Sequence, residues 1–156
     1  MIEVAIPGFG TLALNHLVLD YNGTLACDGE LLPGVAGALA ALAGKIEIHV
    51  VTADTFGRAR AALAGIACTL TVLPQERQDE AKLAHVEKLG RRRTAAIGNG
   101  RNDRLMLQAA ALGIAVIQRE GAAAETVCAA HVVTTDIVAA LELLSHPLRL
   151  TATLRR

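Results

Sequence analysis

The sequence predicts an α/β fold of the three-layer, Rossmann-like type, in which a parallel sheet carries helices on both faces. Short aliphatic and β-branched runs of strand length alternate along the chain with segments of helical periodicity. Such alternation implies parallel strands joined by right-handed helical crossovers. The 156 residues, 53% of them hydrophobic, are enough for one well-buried core and too few for two ordinary domains.

The first third of the chain is predicted to form a hairpin, a core strand, a small flap and a helix. The hairpin strands flank the turn Pro7-Gly8-Phe9-Gly10. The core strand must stop at Asp20, because Asn22-Gly23 is a strong turn signal. An Asp-Gly turn predicts the flap-like hairpin, and Pro33-Gly34 precedes the helix. The predicted elements are strands 2–6, 11–14 and 17–19, flap 26–32 and helix 35–43.

The rest of the chain continues the alternation of strands and helices, without a repeat, a linker or a low-complexity segment. The predicted strands are 45–51, 68–73, 94–97, 114–117 and 131–133. The predicted helices are 55–64, 78–89, 102–111, 122–128 and 136–144. The N-cap candidates for the last helix are Thr134, Thr135 and Asp136.

Composition excludes several classes of function. Fifteen Lys and Arg balance fifteen Asp and Glu, so no net field attracts nucleic acid or an acidic membrane. Aromatic residues make up 2% of the chain, which argues against a base-stacking surface. No apolar run has transmembrane length, and the N-terminus lacks the pattern of a signal peptide. Three widely spaced cysteines suit reduced thiols rather than a zinc site. We expect a cytoplasmic protein that binds neither nucleic acid nor membrane.

Four segments bring reactive side chains to one place in the predicted fold. Because the carboxyl ends of parallel strands meet at the same edge of a sheet, segments 20–24, 52–54 and 98–103 should share one crevice. The intervening helix carries Lys82. The crevice would hold a nucleophilic carboxylate, a hydroxyl, an ammonium and a second carboxylate, which are the groups that phosphoryl transfer needs.

Taken alone, each segment has a simpler interpretation. Asp20 fits a solvated acid in a hairpin turn, and Thr52 fits the first turn of the next helix. Lys82 lies among charged residues of its helix, which favours a solvent-exposed face. Gly98-Asn99-Gly100 could begin a dinucleotide loop, but Asp103 stands where the third glycine is required. Three histidines are expected to be packing or surface residues: His49, His85 and His131.

The four segments together resemble the haloacid dehalogenase-like superfamily of phosphotransferases, over about residues 16–144. The superfamily pattern is DxDGT, a strand-end Thr or Ser, a Lys, and then GDxxxD or GDGxND. Segments 52–54 and 98–103 are most similar to the TGD and GDGxND motifs of the phosphorylation domain of P-type cation ATPases. The resemblance implies a soluble, P-type ATPase-like phosphatase that acts on a phosphorylated substrate with Mg²⁺ as its cofactor.

The resemblance also implies a role for each matching residue. Asp20 would attack phosphorus and form an aspartyl-phosphate, while Thr52 and Lys82 would hold the transferring phosphoryl oxygens. Gly23 would let the backbone approach the phosphate, Thr24 could brace the loop, and Asn102 would also contact the phosphate. The Mg²⁺ ligands would be Asp20, the backbone carbonyl of Asn22, Asn99 and Asp103.

Two residues depart from the superfamily pattern. Asn22 stands where most phosphatases of the superfamily have an acid that protonates the leaving group and later activates water. Asn99 replaces the first acid of the last motif and removes one negative charge from the metal site. We therefore expect a phosphatase of modest turnover. An autophosphorylating, ATPase-like domain and a non-catalytic module that senses phosphate or metal remain as alternatives.

A cap domain is not expected. The superfamily inserts caps into the stretches 21–51 and 53–81, and the core elements leave too little of either stretch for a cap of about 50 residues. We therefore predict a single capless domain over 1–156, with hairpin 1–15, core 16–144 and tail 145–156. Capless relatives act on large exposed substrates or use a neighbouring subunit as the lid, as in tetrameric sugar-acid phosphate phosphatases.

Apolar residues in the hairpin and the tail lead us to expect a homo-oligomer, a dimer or a tetramer. The alternative is that both elements pack on their own domain.

Overall fold

A six-stranded parallel sheet forms the middle layer of the protein, as a computed structural model shows. The structure describes residues 1–54 and 57–156. The strands, in chain order, are β1 (Ile2–Ile6), β2 (Gly10–Leu14), β3 (His16–Leu19), β4 (Ala26–Cys27), β5 (Glu30–Leu31), β6 (Glu47–Thr52), β7 (Thr69–Val72), β8 (Thr94–Gly98), β9 (Leu112–Val116) and β10 (Val132–Thr134). The order across the main sheet is β10-β9-β8-β3-β6-β7, so the strand that ends at Asp20 lies near its centre.

Helices cover both faces of this sheet. They are α1 (Val35–Ala43), α2 (Ala59–Ala62), α3 (Gln78–Leu89), α4 (Arg104–Ala109), α5 (Ala124–Ala129), α6 (Ile137–Ser145) and α7 (Pro147–Leu154), with 3₁₀ turns at Arg91–Arg93 and Arg101–Asp103. The larger hydrophobic cluster joins one sheet face to α1 and α6, and the smaller one joins the opposite face to α3 and α4. Neighbouring residues of β3 show this division, because Leu17 and Leu19 belong to the larger cluster and Val18 to the smaller one. The predicted three-layer fold is confirmed.

The bounds of several elements differ from the predicted ones. The predicted helix 55–64 is represented by α2, and Thr55 and Phe56 lie outside the described residues. The predicted helix 102–111 begins at Arg104, because Asn102 and Asp103 form a 3₁₀ turn. Of the N-cap candidates for α6, Asp136 has this role, since its carboxylate accepts the Ala139 N–H at 2.7 Å.

The N-terminal hairpin and the C-terminal segment pack within the domain. The hairpin, β1 with β2, buries Ile2, Ile6, Leu12 and Leu14 in the larger cluster. The predicted tail forms α7, which buries Leu150 in the same cluster. Among the described residues no single helix is long and apolar enough to span a bilayer; α6 and α7 meet the criteria only jointly and are bent by 102° at their junction.

Candidate active site

The candidate nucleophile lies at the carboxyl edge of the sheet, directly after β3. The backbone N–H of Asp20 donates to the Ile97 carbonyl of β8 at 3.0 Å, which continues the pairing of the strands by one residue. β6 pairs with the other side of β3, so Thr52 at its end lies at the same edge. Asp20 is only 6% exposed, and the interpretation of Asp20 as a solvated turn residue is therefore wrong.

A tight turn after Asp20 holds the nucleophile loop, residues 20–25, against the last motif. The Tyr21 carbonyl accepts N–H groups from Thr24, Leu25 and Ala26, and the Tyr21 hydroxyl donates to the Gly29 carbonyl at 3.0 Å. Gly23 has φ +81°, and a Cβ at this position would overlap the Asn99 carboxamide. Glycine is therefore required here both by conformation and by the close approach of the last motif.

Lys82 of α3 is fully buried and bridges two carboxylates. Its Nζ donates to Asp20 Oδ1 at 2.7 Å and to Asp103 Oδ1 at 2.6 Å. The alternative interpretation of Lys82 as a solvent-exposed residue is wrong, because α3 turns this residue toward the sheet while Glu87 and Lys88 are exposed. We refer to these three side chains as the Asp20–Lys82–Asp103 cluster.

The cluster carries one net negative charge when both carboxylates are ionised. Burial and the nearby Asp103 carboxylate raise the pKa of Asp20 to about 6, although the Lys82 ammonium acts in the opposite direction. Burial alone would lower the pKa of Lys82, but the two carboxylates outweigh burial and hold that pKa above its usual value. A further cation beside Asp20 would favour its ionised form.

Replacing Lys82 by Met, which has a similar length and no charge, should destabilise the fold. Removing one partner of a buried ion pair typically costs about 3–5 kcal/mol, because the remaining charges are left uncompensated. We expect a loss of this order in urea unfolding at pH 8 with EDTA present. The loss should be smaller at pH 5, where Asp20 can take up a proton. The matched control is Lys88→Met on the exposed side of α3, which should change stability by less than about 0.5 kcal/mol; equal effects of the two substitutions would contradict the buried role of Lys82.

Asp103 connects the cluster to the loop that follows β8. Its Oδ2 accepts the N–H groups of Asn99 at 2.9 Å and Gly100 at 2.8 Å, while Oδ1 receives Lys82. A Cβ on Gly98 would overlap the Asp103 carboxylate, so the glycine makes room for this acid. The residues of the last motif thus bring Asp103 beneath the end of β8.

The Thr24 hydroxyl lies between the two ends of the site. Its Oγ1 is 3.1 Å from Asp20 Oδ2 and 3.1 Å from Asn99 Oδ1. A hydroxyl has one proton, so it cannot fully satisfy both oxygens at once. Asn99 is fixed from its other side, because its Nδ2 donates to the Gly121 carbonyl at 2.9 Å. The arrangement leaves two oxygen acceptors close together with one donor to share.

The remaining predicted residues lie at the same edge with different partners. The Thr52 hydroxyl accepts the Asp54 N–H at 3.0 Å, which leaves its own proton for another acceptor. The carboxamide oxygen of Asn22 is buried and, among the described residues, has no hydrogen-bond partner. Asn102 donates to Gln78 Oε1 at 2.7 Å, so its amide group is directed to the start of α3 and not joined to the cluster by a hydrogen bond between described residues.

Gln118, which the sequence analysis did not identify, fixes the nucleophile loop. Its Nε2 donates to the carbonyls of Gly23 at 3.2 Å and Thr24 at 2.9 Å, and its Oε1 accepts the Ile137 N–H at 2.9 Å. It follows β9 and therefore lies at the edge where the three recognised segments meet. This position is the signal that could have identified it.

A cavity of about 450 Å³ opens beside the nucleophile loop. The flap of β4 and β5 forms one wall, and the start of α6 forms another. The flap is tied to the segment after β9, because the Asp28 N–H donates to Glu120 Oε1 at 2.9 Å. The other lining residues include Gly23, Leu32, Gln118 and Arg119.

Comparisons with known proteins agree with the fold. A structure from Legionella pneumophila described as a HAD superfamily (subfamily III A) hydrolase superposes with a TM-score of 0.72 at 17% identity, covering 90% of this chain and 86% of that chain. The chain therefore has the fold of the haloacid dehalogenase-like (HAD) superfamily. The fold that the resemblance of the four segments implies is confirmed.

Two further solved structures are similar to this HAD-like chain. The 3-deoxy-D-manno-octulosonate 8-phosphate phosphatase from Moraxella catarrhalis, in complex with magnesium, phosphate and KDO, has a TM-score of 0.58 and 21% identity over 84% of this chain and 85% of that chain. A zinc-transporting PIB-type ATPase has a TM-score of 0.61 and 28% identity over 78% of this chain and 20% of that chain.

Sequence comparison finds a relative without a known function. The uncharacterized protein MJ0073 of Methanocaldococcus jannaschii is 46% identical over 79 residues, which are 48% of this chain and 85% of that protein. This HAD-like chain therefore belongs to the same family as MJ0073. No protein-family model matches the chain.

Proposed function

We propose that the protein is a Mg²⁺-dependent phosphatase that forms an aspartyl-phosphate on Asp20 and turns over slowly. The observation that carries the proposal is the buried Asp20–Lys82–Asp103 cluster, which lies at the carboxyl edge of a HAD-like fold. A charged cluster of this kind is costly to bury, and its cost is understandable if the cluster serves chemistry.

Asp20 would act as the nucleophile in the first step. One of its carboxylate oxygens forms a bond to phosphorus as the bond from phosphorus to the leaving oxygen breaks. The leaving oxygen departs with the bonding electrons and takes a proton from water. In the second step water attacks the phosphoryl group, releases inorganic phosphate and regenerates the Asp20 carboxylate.

The residues around Asp20 would stabilise the transferring phosphoryl group. Lys82 Nζ lies 2.7 Å from Asp20 Oδ1, so its positive charge would stabilise the equatorial oxygens as they gain negative charge. The Thr52 hydroxyl has a proton to donate, and the Gly23 backbone allows close approach. Asn102 is the weakest of the proposed phosphate contacts, since its amide donates to Gln78.

The donor set fits Mg²⁺. Asp20, Asp103 and Asn99 are buried and offer the oxygen ligands that a hard cation prefers. We assign the metal to Asp20, the backbone carbonyl of Asn22, Asn99 and Asp103. Bound there, Mg²⁺ would supply the positive charge that lets a cluster of net negative charge accept a phosphate dianion. The Moraxella catarrhalis structure, a complex with magnesium and phosphate, supports a magnesium cofactor for this fold.

Slow turnover follows from Asn22. A carboxamide can neither protonate the leaving oxygen nor take a proton from water, so both steps lose a contribution that is typically about 10²–10⁴-fold. Esters with good leaving groups should therefore be the better substrates. The cavity of about 450 Å³ lies in the range of small-molecule sites, which favours a small phosphoester or acyl phosphate.

The direct test measures phosphate release from p-nitrophenyl phosphate and acetyl phosphate. We expect release with Mg²⁺ present, a rate that falls to background with EDTA, and recovery when Mg²⁺ is restored. Faster release from acetyl phosphate than from an alkyl phosphate would agree with the missing acid. Absence of Mg²⁺-dependent release from every ester tested would contradict the phosphatase function.

A second candidate is an autophosphorylating domain with a long-lived aspartyl-phosphate. The asparagine at position 22 and the 28% identity to the PIB-type ATPase favour it. Hydroxylamine-sensitive label from a nucleotide or acyl phosphate, without release of free phosphate, would distinguish it from the phosphatase. A non-catalytic module that senses phosphate or metal would give neither label nor release.

The oligomeric state and the cellular compartment of the protein stay predictions. The hairpin and α7, which motivated the expected dimer or tetramer, bury most of their apolar residues within the domain, and Leu148 stays 85% exposed. These contacts favour the alternative that both elements pack on their own domain. The expected cytoplasmic location likewise depends on composition alone.

A further inference from the structure

A second group of metal-binding side chains lies at the opposite edge of the sheet. His16 is the first residue of β3, and Glu47 is the first residue of β6, directly beside it in the parallel register. His49 is two residues further along β6 and therefore projects from the same face as Glu47. We call these three residues the amino-edge cluster. Because Asp20 follows the last residue of β3, the two sites stand at opposite ends of one strand, about 13 Å apart along it.

The ligand atoms of the amino-edge cluster converge. His16 Nδ1 is 3.1 Å from Glu47 Oε2, and His49 Nε2 is 3.8 Å from the same oxygen. The two ring nitrogens are 3.4 Å apart. Zinc bonds of about 2.0–2.1 Å in tetrahedral geometry place neighbouring ligand atoms about 3.3–3.4 Å apart. The three observed separations bracket this value.

Hydrogen bonding accounts for only part of this geometry. A proton on His16 Nδ1 can be directed to Glu47 Oε2 at 3.1 Å or to His49 Nε2 at 3.4 Å. His49 Nε2 is 3.8 Å from Glu47 Oε2, which is beyond hydrogen-bond distance. A single cation between the three atoms would be bound by a lone pair from each.

The surroundings of the cluster leave room for water. Surface depressions of about 400 and 310 Å³ border the cluster on two sides. The Glu47 side chain is 73% exposed and can adjust its reach.

We propose that His16, Glu47 and His49 bind a transition-metal ion, with Zn²⁺ the best fit, in a site separate from the phosphoryl-transfer site. Two imidazoles and one carboxylate form the ligand set, and water fills the fourth position. Mg²⁺ would not compete, because it prefers oxygen ligands. The ion would join the starts of β3 and β6 and so stabilise the strand that holds Asp20.

His85 of α3 borders the cluster without belonging to it. Its ring lies edge-on to His49 with centroids 5.4 Å apart, and its Nε2 is buried with no partner among the described residues. A bound ion would polarise the His49 ring that His85 contacts. His85 is therefore a neighbour whose replacement should affect metal binding less than loss of a ligand.

The test is calorimetric titration of the untagged full chain with Zn²⁺ in excess Mg²⁺, which occupies the oxygen ligands at the other edge. We expect one equivalent of Zn²⁺ to bind, to raise the melting temperature, and to be replaceable by Co²⁺ with the visible spectrum of a four-coordinate site. Binding should be lost in His16→Gln and in His49→Gln and retained in His146→Gln, an exposed histidine on the surface.

Glu47→Gln keeps the test decisive if a histidine variant does not fold, since the Glu47 side chain is mostly exposed. Loss of an outer-sphere partner alone weakens metal binding by about 10–100-fold, so loss of this direct ligand should cost at least about tenfold. Failure to bind Zn²⁺ in excess Mg²⁺, or equal binding by wild type and Glu47→Gln, would overturn the proposal. Neither result bears on phosphate release, which depends on the other site.

Discussion

Asp20→Asn should abolish both the phosphoenzyme and phosphate release. Replacing a covalent nucleophile by its amide removes the bond-forming oxygen charge, and losses for residues of this kind reach about 10⁴-fold or more. Single-turnover labelling with a radioactive acyl phosphate, followed by acid quench, measures the effect directly. Any label or turnover that survives the substitution would exclude the covalent mechanism.

The same substitution should make the protein more stable in EDTA. The Asp20 pKa is raised in the fold from 3.8 to about 6. An acid with a raised native pKa destabilises the native state above that pKa, and the effect disappears below the unfolded pKa. Asp20→Asn should therefore gain about 1–3 kcal/mol at pH 8 and nothing at pH 3. A loss of stability at pH 8 would show that Asp20 is mainly structural.

Asp28→Asn is the matched control for Asp20→Asn. Asp28 lies in the exposed turn of the flap with φ +52°, a conformation that Asn tolerates well. The control should retain activity and change stability by less than about 0.5 kcal/mol. With Mg²⁺ added, wild type should gain stability by ligand binding and Asp20→Asn should gain much less.

Asn22→Asp is the second prediction with a large expected effect, and it acts in the opposite direction. A carboxyl group at this position can protonate the leaving oxygen and later accept a proton from water, a contribution of about 10²–10⁴-fold. The buried Asn22 oxygen has no donor among the described residues, so a carboxylate there would gain little stabilisation. Together with the nearby Asp20 charge, this raises the pKa of the new acid and keeps a proton available for the leaving group. Turnover should rise most for esters with poor leaving groups, and only with Mg²⁺ present.

The three candidate functions predict different outcomes for this substitution. A phosphatase limited by the missing acid gains turnover. An ATPase-like domain keeps its rate of phosphorylation and loses phosphoenzyme lifetime, whereas a sensing module hydrolyses nothing in either form. Asn102→Asp is the control, because it adds the same charge at the same edge without a position for acid catalysis, and it should not raise turnover. A wild-type rate that is already fast and unchanged by Asn22→Asp would refute Asn22 as the cause of slow turnover.

Local sequence patterns predict the bounds of most helices and strands to within two residues. The turn Asn22-Gly23 ends a strand and Pro33-Gly34 precedes a helix because of the backbone preferences of these residues, which do not depend on tertiary contacts. The start of α4 was less predictable, because Asp103 accepts the N–H groups of Asn99 and Gly100 and draws the preceding residues into a 3₁₀ turn. These two hydrogen bonds form only when the last motif folds over the end of β8.

The parts of the site that depend on tertiary packing could not be predicted from sequence. The burial of Lys82 is set by the rotation of α3 against the sheet. The polar neighbours of Lys82 suggest the opposite, and only the order of the four segments placed its ammonium in the crevice. Gln118 has no chemical signature until its position opposite Gly23 is known. His16 and His49 become neighbours only through the register of β3 with β6, which residue spacing along the chain does not determine.

Gln118 fixes the nucleophile loop but makes no hydrogen bond to the flap among the described residues, and this difference affects how the protein could change its specificity. The three hydrogen bonds of Gln118 join the nucleophile loop to the start of α6, so the side of the cavity next to that loop is fixed. The flap is held to the same segment by the backbone of one exposed turn residue, Asp28. Insertions or substitutions in the flap can therefore remodel the outer wall while the catalytic geometry is conserved. The same core could in this way acquire new substrates by exchanging a segment of a few residues, without the gain of a whole domain.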